Sequence, residues 1–385
     1  MPTAARSLWN GHKGWLLDAG FVQSRVCQTL FFFFTPTCFI LAGNHVDDVS
    51  WFSREGEDSL ILDNIRAKYK ERWVCTENKL GKFLGLNLEY SSQGIFLSAR
   101  EWEDKQAKKW KLEGVKCPKT PVALGQELPY HAQGEADATV DKMQLLSDTA
   151  TLGWVASTVR ADLLYGVQVA RICLQNPQKD TRDFVTVSCV FSWEAISSGA
   201  SCTSGTAWNG TRKNGAGGYR THFGRRRMRA TTTSMKRLGR RRRRGLSETY
   251  GNIVQFGMKW TKHASYSTME SETMALAVGG LKQSAFRSMS EDLKLQQTKD
   301  ILQCDNMAVV LLGESGVPNE ASRLVWIRYW ILRDLLESGE VRLEHIAGVD
   351  NDANFLTKTL GRVAFERQRL RIMESRPKPK KGQNM

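Results

Sequence analysis

The chain has 385 residues and a net charge of +15, from 55 Lys or Arg against 40 Asp or Glu. Its 41% hydrophobic and 25% charged residues are ordinary for globular protein, which excludes a fibrous or wholly disordered chain and leaves room for two or three domains. The charge points to a polyanion partner, most simply nucleic acid, and eight irregularly spaced cysteines with no CxxC pair argue against a disulfide frame or zinc site.

The apolar run at Phe31–Phe34 is broken by Pro36 and reaches only about a dozen residues, short of the roughly 20 that a membrane span needs. It reads as a buried strand, with no membrane partner. The opening "MPTAARSLWNGHKGW" lacks the long apolar stretch of a signal peptide, so a cytoplasmic or nuclear location is expected. Cys38–Leu41 and Val49–Phe52 are short apolar strands flanking "GNHVDD", a hairpin with Asp47 and Asp48 at its tip. A helix follows over Leu60–Trp73, with Ile61, Ile65 and Tyr69 spaced by four. "FLGLNLEYSSQGIFLSA" reads as a second hairpin, and Ser98 with Glu101 makes a capping-box pattern opening "REWEDKQAKKWKLE". A polar Pro- and Gly-containing linker follows, and helices return from Lys142 to about Gln175.

Between Gly205 and Gly245 there are fourteen Lys or Arg and no Asp or Glu. Such a block predicts a disordered loop. Beyond it the pattern is periodic again: a strand in "NIVQFGMKW", a helix from Ser267 to Leu293, a strand ending in acid in "DILQCDN", an amphipathic helix closed by Gly339, and a strand in "EVRLEHIAG". "NDANFLTKTL" starts a last helix, and a basic tail ends the chain.

Several of these pieces, taken in order, resemble the C-terminal part of a copia-type retrotransposon Pol polyprotein: the end of its reverse transcriptase followed by its ribonuclease H domain. "SLWNGHKGWLLDAGFVQS" is similar to the Trp–Leu–Gly-Phe stretch before the family's active-site hairpin, and "HVDD" stands where the family has Tyr-Val-Asp-Asp. "STVRADLLYGVQVARICLQNP" resembles the connection, where Arg-Pro-Asp-Ile is usual. "SGTAWNG", "WTKHASYSTMESETMAL", "CDN" and "NDANFLTKTL" are similar to the acidic motifs of its ribonuclease H. The match covers roughly Ser7 to Gly361 and is poor between Thr181 and Ser247.

The resemblance implies an α+β chain: a partial reverse-transcriptase palm and thumb over 1–125, linker and connection helices over 126–185, a ribonuclease-H-like mixed sheet with flanking helices over 186–365, and a basic tail over 366–385. A basic disordered insert is expected at 209–247. Polymerases and nucleases of this kind place carboxylates around a pair of divalent ions, and Mg²⁺ favours such hard oxygen ligands. Asp47 and Asp48 of the hairpin, and Glu272 and Asp305 of the ribonuclease H part, are the implied metal-holding and catalytic residues. The third polymerase aspartate and the fingers have no counterpart in the residues before Asp47, so no polymerase activity is expected from this chain alone. In the ribonuclease H part the first acid falls on Gly205 or Ala207 and the fourth on Asn354. Asn354 can ligate but brings no charge, and Asp352, two residues earlier, should turn away.

Two of four ligands lead to the expectation of a remnant that binds nucleic acid and is catalytically impaired. The alternatives are an active Mg²⁺-dependent ribonuclease H fragment and a non-enzymatic basic nucleic-acid-binding protein. The expected partners are RNA–DNA hybrid, DNA or RNA at low specificity. Arg225, Arg226, Arg227 and Arg240, Arg241, Arg242, Arg243 and Arg244 would touch phosphates.

Overall fold

The computed structural model describes residues 3–53, 63, 67, 81–197, 227–234, 240–249, 252–295, 300–315 and 326–373, apart from 37, 47, 92–93, 113–114, 117, 127–135, 265–266 and 357. The expected helix at Leu60–Trp73 lies outside the described residues. The chain divides into two compact units, residues 1–80 with 282–297, and residues 81–281 with 298–385.

In the first unit, helix α1 (Thr3–Asp18) covers an antiparallel sheet of β1 (Val22–Gln23), β2 (Leu30–Phe34), β3 (Phe39–His45) and β4 (Asp48–Ser53), in that order. Trp15 and Leu16 meet Phe21, Phe31, Ile40 and Ala42 in one core, so the four-phenylalanine run is the expected strand, with Phe31 and Phe32 buried and Phe33 and Phe34 half-buried. Gly20, at φ +88°, supplies the left-handed residue that ends α1, and Phe21 N closes back on Leu16 O at 3.0 Å. A polar residue inside β3 is explained by its partner: Asn44, 1% exposed, shares a 3.2 Å hydrogen bond with the buried His12 of α1. Among 282–297, Asp292 accepts from Ser24 Oγ, Arg25 N and Arg25 Nε.

The second unit opens with the meander β5 (Lys82–Phe83), β6 (Leu86–Ser91) and β7 (Gly94–Ser98), followed by α2 (Arg100–Lys109). The expected Ser98–Glu101 capping box is not formed. The cap residue is Ala99 and makes no side-chain bond, while Glu101 accepts instead from Lys82 and Asn87. Next come α3 (Lys142–Thr158), capped where Asp141 accepts from Gln144 N, a 3-10 turn (Ala161–Leu163), α4 (Leu164–Cys173) and α5 (Lys179–Ser197).

The larger sheet holds β8 (Arg227–Ser234), β9 (Arg240–Thr249), β10 (Asn252–Ala264), β11 (Asp300–Cys304) and β12 (Val341–His345), in the order β10-β9-β8-β11-β12. The first three are antiparallel in sequence, and β11 runs parallel to both β8 and β12. Helices α6 (Thr268–Asp292), α7 (Met307–Ser315), α8 (Trp326–Glu337) and α9 (Arg362–Ile372) complete the chain. This is the α+β class and the mixed, ribonuclease-H-like strand order that the resemblance implied. All five residues of β11 are buried, so both of its faces are covered.

Two expectations change here. The disordered insert expected over 209–247 is replaced in part by strands: Arg227–Ser234 and Arg240–Thr249 are β8 and β9, and β9 is paired on both sides. Charge composition speaks for solvation, but a doubly paired strand satisfies its backbone whatever its side chains are. Residues 209–226 and 235–239 lie outside the described residues. "NDANFLTKTL" is a 3-10 turn over Asp352–Leu356, and the last helix starts only at Arg362.

Composition places boundaries near 125, 185 and 365, whereas the apolar packing runs across all three. Leu112, Val122, Leu152, Val169, Phe191, Phe355, Phe365 and Ile372 belong to one core. At its centre lies a polar cluster. Arg160, 1% exposed, donates from Nε and Nη2 to the two oxygens of Asp162, each at 2.9 Å, and from Nη1 to Glu103 at 3.0 Å and to Ser192 O at 2.7 Å. Arg369 of α9 reaches Asp162 at 3.3 Å, and both guanidinium groups face the Phe191 ring. Burial alone would raise the Asp162 carboxyl, but the charge and hydrogen bonds of Arg160, with Arg369, hold it below the usual carboxylate range. Glu103 goes the other way: burial, aided by the negative Asp162, outweighs Arg160 and pushes it up to about 7.

The folded Glu103 therefore keeps a proton that the unfolded chain has lost, over the window from about 4.5 to about 7. Its contribution to stability is greatest below that window and declines as pH rises through it. Glu103→Gln should remove this decline and leave the variant more stable than the wild type at pH 8, by on the order of 1–3 kcal/mol. Thermal unfolding of both proteins at pH 5 and pH 8 reads the difference. His12→Ala should destabilise the first unit by roughly 1–3 kcal/mol, because it strips Asn44 of a buried partner. Chemical denaturation monitored by tryptophan fluorescence measures that loss.

Candidate metal-binding site

The helix that carries Glu272 starts where the sequence says it should. Ser267 Oγ accepts from Glu270 N at 3.0 Å, which caps α6 and sets Glu272 one residue beyond its first turn. Glu272 is thus not the capping glutamate, and its side chain is buried, 7% exposed, against the end of the large sheet.

Asp305 is fixed from the other side. It follows the last residue of β11, and Asn306 after it opens α7 by accepting from Ala308 N at 3.1 Å. Asn306 N also donates to Cys304 Sγ at 3.4 Å, and Ile346 N bonds Cys304 O at 2.9 Å, so the strand end is tied to both neighbours. A carboxylate between a strand end and a helix cap has little freedom.

These two elements converge. Ligand atoms of Glu272, Cys304 and Asp305 all lie within 4.8 Å of one another, the one such group found among the described residues. Asp305 Oδ1 is buried and has no hydrogen-bond partner among the described residues. Two carboxylates and a thiol this close, one oxygen unsatisfied, suit a single divalent ion. The arrangement does not suit a pair, which needs more charge than two carboxylates supply.

Among the described residues, no further acid joins Glu272, Cys304 and Asp305. Sequence reasoning put the first acid at Gly205 or Ala207, and both lie outside the described residues. The strand beside β11 is instead Arg227–Ser234, "RMRATTTS", in register Cys304↔Ala230, and it carries no acid. Asn354, at the fourth position, is buried and donates its amide to Gly348 O. Gly348 itself comes close to the carboxylate: a Cβ there would sit 3.7 Å from Asp305 Oδ2. Asp352 is engaged by Arg371 at 3.3 Å and is not among the three converging residues, in keeping with its expected turn away.

The polymerase-type pair is placed differently. His45 and Asp48 are register partners at the end of the β3–β4 hairpin, Val46 has φ +52°, and Asp48 is exposed. Asp47 lies outside the described residues. Of the basic residues, Arg227 stands in β8 and Arg240, Arg241, Arg242, Arg243 and Arg244 in β9, while Arg225 and Arg226 lie outside the described residues. What sequence reasoning missed is the polar scaffold of Glu103, Arg160, Asp162 and Arg369. Its only sequence signal is the Arg-x-Asp spacing in the stretch likened to the connection. No helix among the described residues is long and apolar enough to cross a membrane.

Comparison with known proteins agrees with the sequence resemblance. The chain is 23% identical over 376 residues to the retrovirus-related Pol polyprotein from transposon RE2 of Arabidopsis thaliana, an alignment covering 94% of the chain and 24% of that protein. It is 20% identical over 344 residues to the corresponding polyprotein from transposon TNT 1-94 of Nicotiana tabacum, covering 86% of the chain. A third such polyprotein, from transposon RE1 of Arabidopsis thaliana, is 22% identical over 98% of the chain. The chain thus spans about a quarter of the length of the curated relatives it matches. No family model matches. Among solved structures, the N-terminal RNase H domain of rv2228c from Mycobacterium tuberculosis aligns with 37% of the chain at a TM-score of 0.27 and 15% identity. RNase H1 from Halobacterium salinarum aligns with 34% at 0.27 and 15%.

Without a divalent ion, Glu272 and Asp305 hold two negative charges close together beside a buried thiol. Asp305→Asn should therefore stabilise the metal-free protein by on the order of 1 kcal/mol, and added Mn²⁺ should no longer raise its Tm. Melting curves with and without Mn²⁺ test both statements.

Proposed function

Since the chain is similar over most of its length to copia-type Pol polyproteins, we propose that it is a reverse transcriptase/ribonuclease H module that binds nucleic acid, takes up Mg²⁺ weakly, and hydrolyses RNA poorly or not at all. The observation that carries this reading is the convergence of Glu272 and Asp305 at the end of β11. Two residues from separate elements, each singled out from sequence, meet in a site that one hard cation suits. Mg²⁺ would be held by these two carboxylates and would supply positive charge next to a scissile phosphate. The thiol of Cys304 is a soft donor and adds little for Mg²⁺.

Impairment follows from ligand count. A second dication would need carboxylates where β8 has none and where Asn354 has spent its amide on a loop carbonyl. The polymerase-type hairpin, with Asp47 and Asp48, is read as inherited from the same ancestry. The nucleic acid would be RNA–DNA hybrid, DNA or RNA, contacted at low specificity through the arginines of β8 and β9, together with Arg225 and Arg226. A cytoplasmic or nuclear setting suits such a partner.

Incubation of the purified chain with an RNA–DNA hybrid labelled on the RNA strand, in Mg²⁺ and in Mn²⁺, tests the assignment. The expected result is cleavage no faster than that of Glu272→Ala and Asp305→Ala. Robust cleavage lost in either variant would establish the alternative, an active ribonuclease H. Binding of the same hybrid should weaken with salt, and replacing Arg240–Arg244 by Gln should flatten the log–log slope by about 0.9 for each phosphate contact removed.

A further inference from the structure

The loop that approaches Asp305 is held from behind by the last helix. Gly348 stands near the Asp305 carboxylate, close enough that an added Cβ would sit 3.7 Å from Oδ2, and its carbonyl takes the Asn354 amide. On the far side of the loop Arg371 of α9 reaches Asp352 at 3.3 Å and Asp350 at 3.9 Å, and Arg367 donates to Val349 O at 3.0 Å and reaches Asp350 at 3.6 Å. The pairs with Asp350 are exposed and weak, but Asp352 is 5% exposed, so its pairing with Arg371 is the strong one. The helix is itself anchored in the core. Arg369, between these two arginines, is plugged into Asp162 of the buried cluster, and Phe365 stacks on Phe355 at 5.0 Å and meets Phe191 edge-on at 5.7 Å.

We propose that Arg371, seconded by Arg367, is a positioning residue for the Glu272–Asp305 site: it holds loop 347–352, which follows the Ile346 N to Cys304 O bond and passes beside Asp305, and so limits how far the Asp305 carboxylate can turn and sets the affinity for a divalent ion. This rests on the metal reading above. The physical requirement is plain. A carboxylate with an unsatisfied oxygen next to a second carboxylate swings away unless its surroundings hold it, and an ion then meets one ligand in place of two. Groups that orient metal ligands from outside typically contribute about tenfold or more to affinity.

The test compares the full-length wild type, Arg371→Gln with Arg367→Gln, and Arg371→Lys. Mn²⁺ uptake is followed by electron paramagnetic resonance, and amide hydrogen exchange is followed over 346–354. The double variant should bind Mn²⁺ about tenfold more weakly and lose protection at Ile346, Asp350 and Asn354, whose amides bond Cys304 O, Ala347 O and Asn351 O. Protection in α3 and α4 should stay unchanged. The lysine variant, which keeps the charge on Asp352, should bind Mn²⁺ nearly as the wild type does. A purely structural role would not give that rescue in ion affinity. Wild type that binds Mn²⁺ with the double variant binding equally well overturns the positioning role alone. Wild type that takes up no Mn²⁺ overturns the metal reading and this inference with it.

Discussion

Arg160 is the residue on which most of the second unit depends. Its guanidinium is buried, and its hydrogen bonds tie together three stretches of chain: Asp162 beside it, Glu103 on α2, and the Ser192 carbonyl on α5. Asp162 in turn draws in Arg369 from α9. A buried ion pair of this kind adds little net stability over an apolar replacement, but losing Arg160 or Asp162 leaves an uncompensated charge and costs roughly 3–5 kcal/mol. It therefore acts chiefly on specificity. Helices from the start, middle and end of the unit have one arrangement in which all four charged groups find partners, and the apolar residues from Ala99 to Met373 close around that arrangement.

The candidate site is the less robust part. Both of its carboxylates are positioned by ordinary devices, a serine cap on α6 and an asparagine cap on α7, and those devices would be present whether or not an ion ever binds. What distinguishes the site is the cluster itself and the unsatisfied Asp305 oxygen. The substitutions that weaken it are of two kinds. On β8 the acid is simply missing. At Asn354 the replacement has found other work, bracing the loop that Asp305 leans on. The second kind converts a ligand position into support for the remaining ligand.

The sequence was most informative where period and caps agree. The β3–β4 hairpin, the β6–β7 hairpin, α6, β11, α8 with its closing Gly339 and β12 were all legible, because their apolar spacing and end signals coincide. Glu272 and Asp305 were picked out by the resemblance to the family's acidic motifs, and the local pattern only placed them at a helix start and a strand end. Failures came where a long-range partner decides. Ser98 and Glu101 look like a capping box, but Lys82 and Asn87 claim the glutamate. Asn44 looks misplaced in a strand until His12 is seen opposite it. The arginine run of β9 reads as solvated until its two neighbouring strands are in place, since nothing in five consecutive arginines announces a ladder on either side. The Arg160 cluster was hard to see because its members reach from Glu103 to Arg369, 266 residues apart, and no local rule connects them.

The single core shared by α2, the connection helices and α9 bears on how the protein can be cut for experiment. A fragment beginning near residue 186, the natural choice if the large sheet is taken for a free-standing module, would carry Phe191, Phe355, Phe365 and Arg369 without the surfaces that cover them. It would be prone to clump on expression. A fragment beginning at Gly81 keeps those surfaces, and a purification tag is best joined beyond Met373, whose side chain is still inside the core.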